Sequence, residues 1–323
     1  MRPVSLPEVS YGATSVRPDW RVLPLSLRTA IEARLGSGVT AAHPVGGGFT
    51  SAFAAVLETT TGDRVFVKAA PVHEPAAEAY AREAAITSLL PPEVPAARPR
   101  WTLEADGAFV LCLEALRGHM PELPWQPHEL QATLSAWQTA ASALRRPPRS
   151  LKLPSIADLV REELNWWSAM SAGHVPVLPG ITTQRLAELA RLERALPPLL
   201  AGPAMLHGDL RIDNVLIDTA GKAWLCDWAW PCTGQQWFDT VTLLVTAYAS
   251  GLDVDPLVDA PAAGVDGALA VLAGHWLVRA AGGPSSASPH HRQHQRFSGR
   301  QALAWLAERR GWEPFDLGPV QQA

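Results

Sequence analysis

Lysine is scarce in this 323-residue chain, which contains only Lys68, Lys152 and Lys222. Arginine supplies almost all of the remaining positive charge, and this bias, together with abundant alanine, proline and tryptophan, is typical of GC-rich bacterial genomes. A lysine retained against such a bias is a candidate for a specific role. Lys68 is the strongest candidate because it follows a glycine-rich stretch and lies near the end of an alternating apolar run.

Other absences limit the class of protein. The net charge is −4 at pH 7 without a basic block, so the electrostatic signature of a nucleic-acid-binding protein is missing. No apolar run reaches the ~18 residues that cross a bilayer, and the first residues lack the apolar core of a secretory signal. Three cysteines fit neither a zinc site nor a disulfide framework. The sequence predicts a cytoplasmic protein without nucleic-acid or membrane partners, and it leaves the oligomeric state open.

The length predicts one large domain or two lobes, because single domains usually have roughly 100 to 200 residues. A helix is expected over residues 21–36, followed by a hairpin with a Thr-Gly-Asp turn that carries Lys68 on its second strand. A helix over 75–90 contains Glu78 and Glu83, and two further apolar runs precede a boundary near Arg117. The expected lobes are therefore residues 1–116, rich in strands, and residues 117–323, mainly helical.

Helical patterns dominate the second lobe. Amphipathic helices are expected over 127–144, 155–170 and 182–200, and again from residue 237. Between them, a short strand and a hairpin are expected around residues 204–228. The segment 282–295, with its three histidines, is expected to be a solvated loop before the last helix. The tryptophans at 166 and 167 are expected to pack in the core or between the lobes, and the alternative is that they line a ligand pocket.

Polar side chains gather in the stretch from Met205 to Trp228, next to the predicted strands. Asp209 and Asn214 are five residues apart, and Asp227 follows at the end of a predicted hairpin strand. Phosphoryl transfer requires a carboxylate to orient the attacking hydroxyl, and oxygen ligands to hold Mg²⁺ on the nucleotide phosphates. This stretch contains each kind of group. Asp213 and Asp218 are instead expected to be turn or surface residues.

The pattern H-x-D-x-x-x-x-N, followed by a strand and Asp227, resembles the catalytic loop and metal-binding segment of the protein-kinase-like superfamily. Because Gly208 follows the histidine, the chain is most similar to the aminoglycoside phosphotransferase and choline-kinase-like branch. Matching motifs occur in the same order from about residue 45 to 245. The resemblance implies an α+β, protein-kinase-like bilobal fold that uses ATP and Mg²⁺, with GTP as an open alternative.

The resemblance also assigns roles on the nucleotide side. It implies that Lys68 holds the phosphates and that Glu83 positions this lysine. Glu78, on the same predicted helix, is the alternative partner. The other implied nucleotide-binding residues lie in the glycine-rich loop and in the hinge between the lobes: Gly47, Gly48, Leu113 and Ala115.

The second set of implied roles concerns the reaction itself. Asp209 is implied to be the catalytic base, and Asn214 and Asp227 are implied to be the metal ligands. His207 and Asp239 are implied to support the loop structurally.

Departures from the protein-kinase pattern bear on the substrate. Asp227 begins the sequence Asp-Trp-Ala where protein kinases have Asp-Phe-Gly, and there is no Ala-Pro-Glu element. These differences disfavour protein substrates. The resemblance predicts an ATP-dependent kinase that phosphorylates a hydroxyl of an antibiotic, sugar, amino sugar or amino alcohol. The alternative is a nucleotide-binding pseudokinase that regulates a partner protein, which would not need the carboxylate of Asp209.

Overall fold

The structure, a computed structural model, describes residues 2–282 and 288–318. Its first part contains a five-stranded antiparallel sheet in the order β1-β2-β3-β5-β4. The strands are β1 (Val39–Pro44), β2 (Phe53–Thr59), β3 (Arg64–Pro71), β4 (Pro99–Ala105) and β5 (Ala108–Glu114). Helices α1 (Leu25–Leu35) and α2 (Pro75–Leu89) cover opposite faces of this sheet.

Strand β3 shows how the sheet orients its side chains. Successive residues of a strand point to opposite faces, so Val65 and Val67 pack in the cluster under α1, while Phe66 and Ala70 pack in the cluster under α2. Lys68 shares the parity of Phe66 and Ala70. The pleat of the strand therefore directs the lysine to the face covered by α2.

The second part of the chain is mainly helical. Its helices are α3 (Pro127–Ala143), α4 (Ile156–Glu162), α5 (Trp166–Ser171), α6 (Thr183–Ala195), α7 (Pro197–Leu200), α8 (Trp237–Ala249), α9 (Ala262–Ala281) and α10 (His291–Arg310). Helix α9 is buried along most of its length and packs against α6, α8 and α10, so it forms the centre of the largest apolar core.

Short strands anchor the polar stretch from Met205 to Trp228 in this helical part. The strands are β6 (Gly118–His119), β7 (Ala204–Leu206), β8 (Val215–Asp218), β9 (Ala223–Leu225) and β10 (Cys232–Gly234). They form a three-stranded sheet, β6-β8-β9, and a two-stranded sheet, β10-β7. The loop His207–Asn214 begins directly after β7 and ends directly before β8. Both ends of the loop are therefore fixed by strand pairing.

The α+β arrangement predicted from the sequence is confirmed, but three helical predictions differ from the structure. The helix expected over 182–200 is divided into α6 and α7, and Pro197 begins the second. The helix expected over 155–170 is broken into α4 and α5, because the carboxylate of Glu193 accepts the N–H groups of Trp167 and Ser168 and so caps a new helix start. Trp167 is fully buried, as expected for a core residue. The expected loop over 282–295 is wrong from His291 onward, where α10 begins and buries His294. Residues 283–287 of that segment lie outside the described residues.

The N-terminal segment, residues 2–17, contacts both parts of the molecule. On the helical side, Ser5 donates its N–H to the backbone oxygen of Ala249 at 2.7 Å. On the sheet side, the hydroxyl of Thr14 donates to the backbone oxygen of Gly48 at 2.7 Å. The segment therefore crosses the space between the helices and the loop that joins β1 to β2.

Two further observations concern the helices and the cysteines. Of the helices in the two described ranges, none has the length and apolarity needed to cross a membrane. Cys112, Cys226 and Cys232 are all unpaired, and Cys112 and Cys232 are buried. Burial raises the pKa of the Cys112 thiol to about 12, so this cysteine is a packing residue rather than a reactive one.

Candidate active site

Lys68 lies against Glu83 of α2, with Nζ 2.6 Å from Oε2, and the two side chains are only 12% and 3% exposed. Burial disfavours the charge of Lys68, but the carboxylates of Glu83 and Asp227 outweigh this effect and raise the pKa of the lysine. The ammonium group therefore keeps its charge at neutral pH. Glu78 lies on the exposed side of α2 and pairs with Arg82 instead. The structure thus brings Glu83, and not Glu78, to the lysine.

Asp227 completes this cluster from the helical part. It lies two residues beyond β9, and its Oδ1 is 3.8 Å from Nζ of Lys68. Its φ of 61° is in the left-handed region, which aspartate tolerates better than most residues. The side chain is 44% exposed, so the carboxylate remains accessible to a ligand. One lysine therefore connects a carboxylate of each part of the protein.

The first residues of the loop His207–Asn214 are held by Asp239, at the start of α8. The carboxylate of Asp239 accepts the N–H of His207 at 2.7 Å and that of Gly208 at 3.1 Å. Burial raises the pKa of Asp239 to about 7, while these two hydrogen bonds favour its ionised form. Gly208 has a φ of 81°, and a Cβ there would collide with the backbone oxygen of Trp230. Only glycine fits at this turn.

The imidazole of His207 links the loop to the segment after β9. Its Nε2 lies 2.9 Å from the backbone oxygen of Cys226, and its Nδ1 lies 3.3 Å from the N–H of Asp209. These partners assign the proton to Nε2 and leave Nδ1 as an acceptor. Burial lowers the pKa of His207 to about 4, so the ring is neutral. Its contacts orient the backbone of Asp209.

Asp209 is bound on both sides within the same loop. Its Oδ1 lies 3.2 Å from Nε of Arg211, and its Oδ2 lies 3.2 Å from Nδ2 of Asn214. Nδ2 of Asn214 also donates to the backbone oxygen of Asp209 at 2.7 Å, so the side-chain oxygen of Asn214 is left for another partner. Burial raises the pKa of Asp209 to about 7, against the opposing effect of Arg211. A carboxyl group that titrates near neutrality is suited to accept a proton.

The glycine-rich loop, residues 45–52, joins β1 to β2. A Cβ on Gly47 would collide with the side chain of Met120, and Gly48 has a φ of 83°. Gly46 and Gly47 line an open cavity of about 360 Å³ that the N-terminal segment and residues 119–123 border on its other sides. The glycines therefore permit a close approach between this loop and the chain that follows the sheet.

The two predicted hinge residues lie where the sheet ends. Leu113 is inside β5 and pairs with Phe66 of β3 and Pro99 of β4. Ala115 is the first residue after that strand. From there the chain passes to β6, which already belongs to a sheet of the helical part.

A sequence profile of the phosphotransferase enzyme family, APH, matches residues 42–275. This range includes most of the side chains described above: Lys68, Glu83, Asp209, Asn214, Asp227 and Asp239. The chain belongs to this phosphotransferase family. The membership confirms the family and the enzyme class predicted from the order of the motifs, a phosphotransferase that acts on an alcohol group.

Solved structures share the fold of this phosphotransferase. The aminoglycoside phosphotransferase APH(4)-Ia matches with a TM-score of 0.61 at 12% identity, over 87% of this chain and 97% of that chain. A candidate fructosamine-3-kinase from Thermobifida fusca YX-ER1 matches with a TM-score of 0.53 at 18% identity, over 86% and 99%. A second, from Haemophilus somnus 129PT, matches with a TM-score of 0.53 at 14% identity, over 86% and 97%. No curated protein sequence matches the chain.

Sequence reasoning missed Arg17, which fixes the glycine-rich loop of this phosphotransferase. Its guanidinium donates to the backbone oxygens of Val45 at 2.9 Å, Gly47 at 2.8 Å and Ala52 at 2.8 Å. It also donates to the hydroxyl of Thr50 at 3.0 Å. Arg17 belongs to no motif and precedes the residues that match the family, so no signal in the sequence identified it.

Sequence reasoning also missed Arg211 and the burial of the Asp213 side chain. The Arg211 guanidinium binds Asp213 at 2.9 Å in addition to Asp209, and the Asp213 side chain is only 1% exposed. Of the predicted alternatives for Asp213, turn or surface, the turn is correct, since the residue lies in the 3₁₀ turn Ile212–Asn214. The side chain is not at the surface, because Arg211 holds its carboxylate inside the loop. The same prediction is confirmed for Asp218, which accepts the N–H groups of Ala220 and Lys222 in the β8–β9 turn.

Proposed function

We propose that the protein is an ATP-dependent small-molecule kinase, which transfers the γ-phosphoryl group to a hydroxyl of its acceptor. One observation carries the proposal: Nζ of Lys68 lies 2.6 Å from Glu83 and 3.8 Å from Asp227. A charged lysine fixed between a helix carboxylate and an accessible carboxylate is the arrangement that kinases use to hold nucleotide phosphates. Family membership and the fold support the same conclusion.

The nucleotide is proposed to lie between the sheet and the helical part. Lys68 would hold its phosphates, Gly47 and Gly48 would border them, and the backbone near Leu113 and Ala115 would meet the base. A thermostable variant of APH(4)-Ia, which shares this fold, was crystallised with ADP and hygromycin B. We propose the lobe boundary between residues 116 and 117, because β5 ends at Glu114 and β6 begins at Gly118.

The donor atoms present fit a magnesium ion. Magnesium prefers oxygen ligands and commonly takes one or two from the protein together with phosphate oxygens. Asp227 offers an accessible carboxylate, and Asn214 offers its side-chain oxygen because its amide hydrogens are directed to Asp209. Bound there, the ion would neutralise charge on the nucleotide phosphates. We therefore propose Asn214 and Asp227 as its protein ligands.

Asp209 is the proposed catalytic base. It would accept the proton of the acceptor hydroxyl while the oxygen of that hydroxyl forms a bond to the γ-phosphorus and the bond from that phosphorus to the β–γ bridging oxygen breaks. Asp239 and His207 are proposed as positioning residues, since they hold the backbone of the loop at Gly208 and Asp209. Lys68 would stabilise the charge that remains on the nucleoside diphosphate.

The proposal is tested by a nucleotide-consumption screen with purified protein, Mg²⁺ and either ATP or GTP. The acceptor panel comprises antibiotics, sugars, amino sugars and amino alcohols, and mass spectrometry identifies the product. The expected result is acceptor-dependent nucleotide consumption with a mass gain of one phosphoryl group. The protein that carries Asp209→Asn serves as the control for contaminating kinases. Nucleotide binding without transfer to any acceptor would instead indicate a regulatory, catalytically inactive protein.

A further inference from the structure

The N-terminal segment binds the glycine-rich loop through the backbone oxygens of the loop. Arg17 donates from Nε, Nη1 and Nη2 to the backbone oxygens of three residues: Val45 at 2.9 Å, Ala52 at 2.8 Å and Gly47 at 2.8 Å. A Cβ on Gly46 would collide with the backbone oxygen of Gly12, so the loop and the segment are in direct contact. One planar side chain therefore joins the beginning, the middle and the end of the loop.

Thr14 and Ser15 bind further backbone oxygens of the same loop. The N–H of Ser15 donates to the oxygen of Gly46 at 2.8 Å, and its hydroxyl donates to that of Thr50 at 2.6 Å. The hydroxyl of Thr14 donates to the oxygen of Gly48 at 2.7 Å. The backbone oxygens of residues 45–48, 50 and 52 are thus all bound by residues 14–17.

The N–H groups of the loop are arranged in the opposite way. Within residues 2–282 and 288–318, no acceptor is bound by the N–H groups of residues 46–49. The peptide bonds of the loop are trans, so each N–H points away from the backbone oxygen of the preceding residue. Because the oxygens of residues 45–48 are directed to the N-terminal segment, the N–H groups of residues 46–49 are directed away from it. Successive N–H groups that are not used within a loop can bind an anion.

The end of the loop borders the cluster around Lys68. The hydroxyl of Thr50 lies 3.0 Å from Nη1 of Arg17 and 3.4 Å from the hydroxyl of Tyr80. The ring of Tyr80 in turn lies 5.3 Å from Nζ of Lys68. Burial lowers the pKa of Arg17, but the Tyr80 hydroxyl and the carboxylate of Asp227 oppose this effect. The loop that Arg17 holds is therefore next to the proposed phosphate site.

We propose that Arg17 is a positioning residue for the nucleotide phosphates. It holds the oxygens of the glycine-rich loop on its own side, and so directs the N–H groups of the loop to the phosphate oxygens of the nucleotide. The inference rests on the proposed kinase function and adds a residue that precedes the family profile, which begins at residue 42. Arg17 acts through the loop, and its planar fork of donors is what spans three oxygens at once.

The first test compares two ligands that differ in their phosphates, adenosine and Mg-ADP, or guanosine and Mg-GDP if the protein prefers GTP. Calorimetry measures their binding to the parent, to Arg17→Met and to Arg17→Lys. We expect Arg17→Met to lose at least about 10-fold in affinity for the Mg-bound diphosphate and less than about 3-fold for the nucleoside. Arg17→Lys should show a similar loss although it keeps the charge, because an ammonium group cannot bind all three oxygens.

Arg21→Met is the matched control, since Arg21 is exposed and lies four residues further along the chain. It should bind both ligands as the parent does. If Arg17→Met fails to show a cooperative unfolding transition, Thr14→Val replaces it, because this change removes only the hydroxyl that binds the oxygen of Gly48. Thr14→Val is expected to lose at least about 3-fold in affinity for the Mg-bound diphosphate and none for the nucleoside.

The second test follows the N–H groups themselves by hydrogen exchange of peptides that span residues 45–52. We expect rapid exchange in the parent alone, slower exchange with Mg-ADP, and no slowing with adenosine. In Arg17→Met, Mg-ADP at a saturating concentration should slow the exchange of these peptides less than in the parent.

Three results would overturn the inference: parent-like affinity of Arg17→Met for the Mg-bound diphosphate, an equal loss for nucleoside and diphosphate, or full rescue by Arg17→Lys. For Thr14→Val, parent-like affinity would have the same meaning. These outcomes are distinct from failure of the proposed function. A parent protein that binds no Mg-nucleotide would refute the kinase, whereas a parent that binds it independently of Arg17 would refute only the role of this arginine.

Discussion

Asn214 binds Asp209 through both hydrogens of one amide group, at 2.7 Å to the backbone oxygen and at 3.2 Å to Oδ2. A residue that serves only as a metal ligand would not need these hydrogens. The contact therefore couples the position of the proposed base to the residue that is proposed to hold the ion. Substitution of Asn214 can separate its proposed role as a metal ligand from its role in positioning Asp209.

Asn214→Asp keeps an oxygen for the metal but removes the hydrogen-bond donors and places a second carboxylate against Asp209. We expect kcat to fall by about 10-fold or more, because an unpaired donor or acceptor and a like charge each cost about 1–3 kcal/mol at such sites. Steady-state kinetics over a range of Mg²⁺ concentrations measure the effect. Activity equal to the parent at saturating Mg²⁺ would show that the amide hydrogens are not required.

Asp209→Asn preserves the size of the side chain but removes the carboxylate that orients and deprotonates the acceptor. Positioned proton transfer typically contributes about 10² to 10⁴ in rate, so kcat is expected to fall within that range. Nucleotide affinity should change only a few-fold, since Lys68 and Asp227 are untouched. The measurement must use the true acceptor, because slow hydrolysis by water can mask the loss. Unchanged turnover would remove Asp209 from the role of base.

Lys68→Arg keeps the charge, yet we expect turnover to fall by about 10-fold or more. A planar guanidinium cannot occupy the position of a compact ammonium that lies 2.6 Å from Glu83 in a buried site. Lys222→Arg, on the exposed β8–β9 turn, is the matched control and should behave as the parent. The two variants are compared by steady-state kinetics. If Lys68→Arg also matches the parent, the lysine does not hold phosphate.

Asp227→Ala is expected to weaken the binding of Mg-nucleotide by about 10-fold or more and to abolish the dependence of nucleotide affinity on Mg²⁺. The reason is that the carboxylate is proposed to contact the ion that bridges the phosphates. Calorimetry with and without Mg²⁺ measures both quantities. Asp218→Ala, at the exposed turn, serves as the control. A folded Asp227→Ala protein with the affinity of the parent in Mg²⁺ would contradict the metal-ligand assignment.

Stability should depend on pH through His294, whose ring packs edge-on against Tyr11 at 4.4 Å. Burial lowers its pKa to about 4, below the unfolded value of about 6.5, so the unfolded chain binds more protons between these values. The stabilisation is complete above about pH 6.5 and is lost as the pH falls towards 4, by up to about 3 kcal/mol. His294→Phe should therefore lose less stability on acidification than the parent. Denaturant unfolding between pH 4 and 8 tests this, with the exposed His128→Phe as control.

Local patterns in the sequence were sufficient to predict part of this site. Lys68 and Glu83 lie on a strand and a helix whose periodicities are visible in the sequence, and their pairing follows once both elements cover the same face of the sheet. The spacing of Asp209 and Asn214 is similarly local. Arg17 could not be predicted, because its partners are backbone oxygens about 30 residues away that carry no residue-specific signal.

The prediction of a solvated loop for the histidines of α10 failed for a different reason. A sequence with three histidines and two arginines within residues 290–296 is as polar as a surface loop. His294 is nevertheless buried, because Tyr11 and Phe49 reach it from two distant segments of the chain. Tertiary contacts of this kind override a polar pattern, and a single sequence does not reveal them.

The N-terminal segment adds contacts between the two parts of the molecule. The chain already passes from sheet to helices once, after β5, and the contacts of Ser5 with Ala249 and of Thr14 with Gly48 close a ring around the cleft. In a protein joined at one edge only, the cleft can widen like a hinge. Here widening must also break the contacts of the N-terminal segment, a stretch of chain that the family profile does not include.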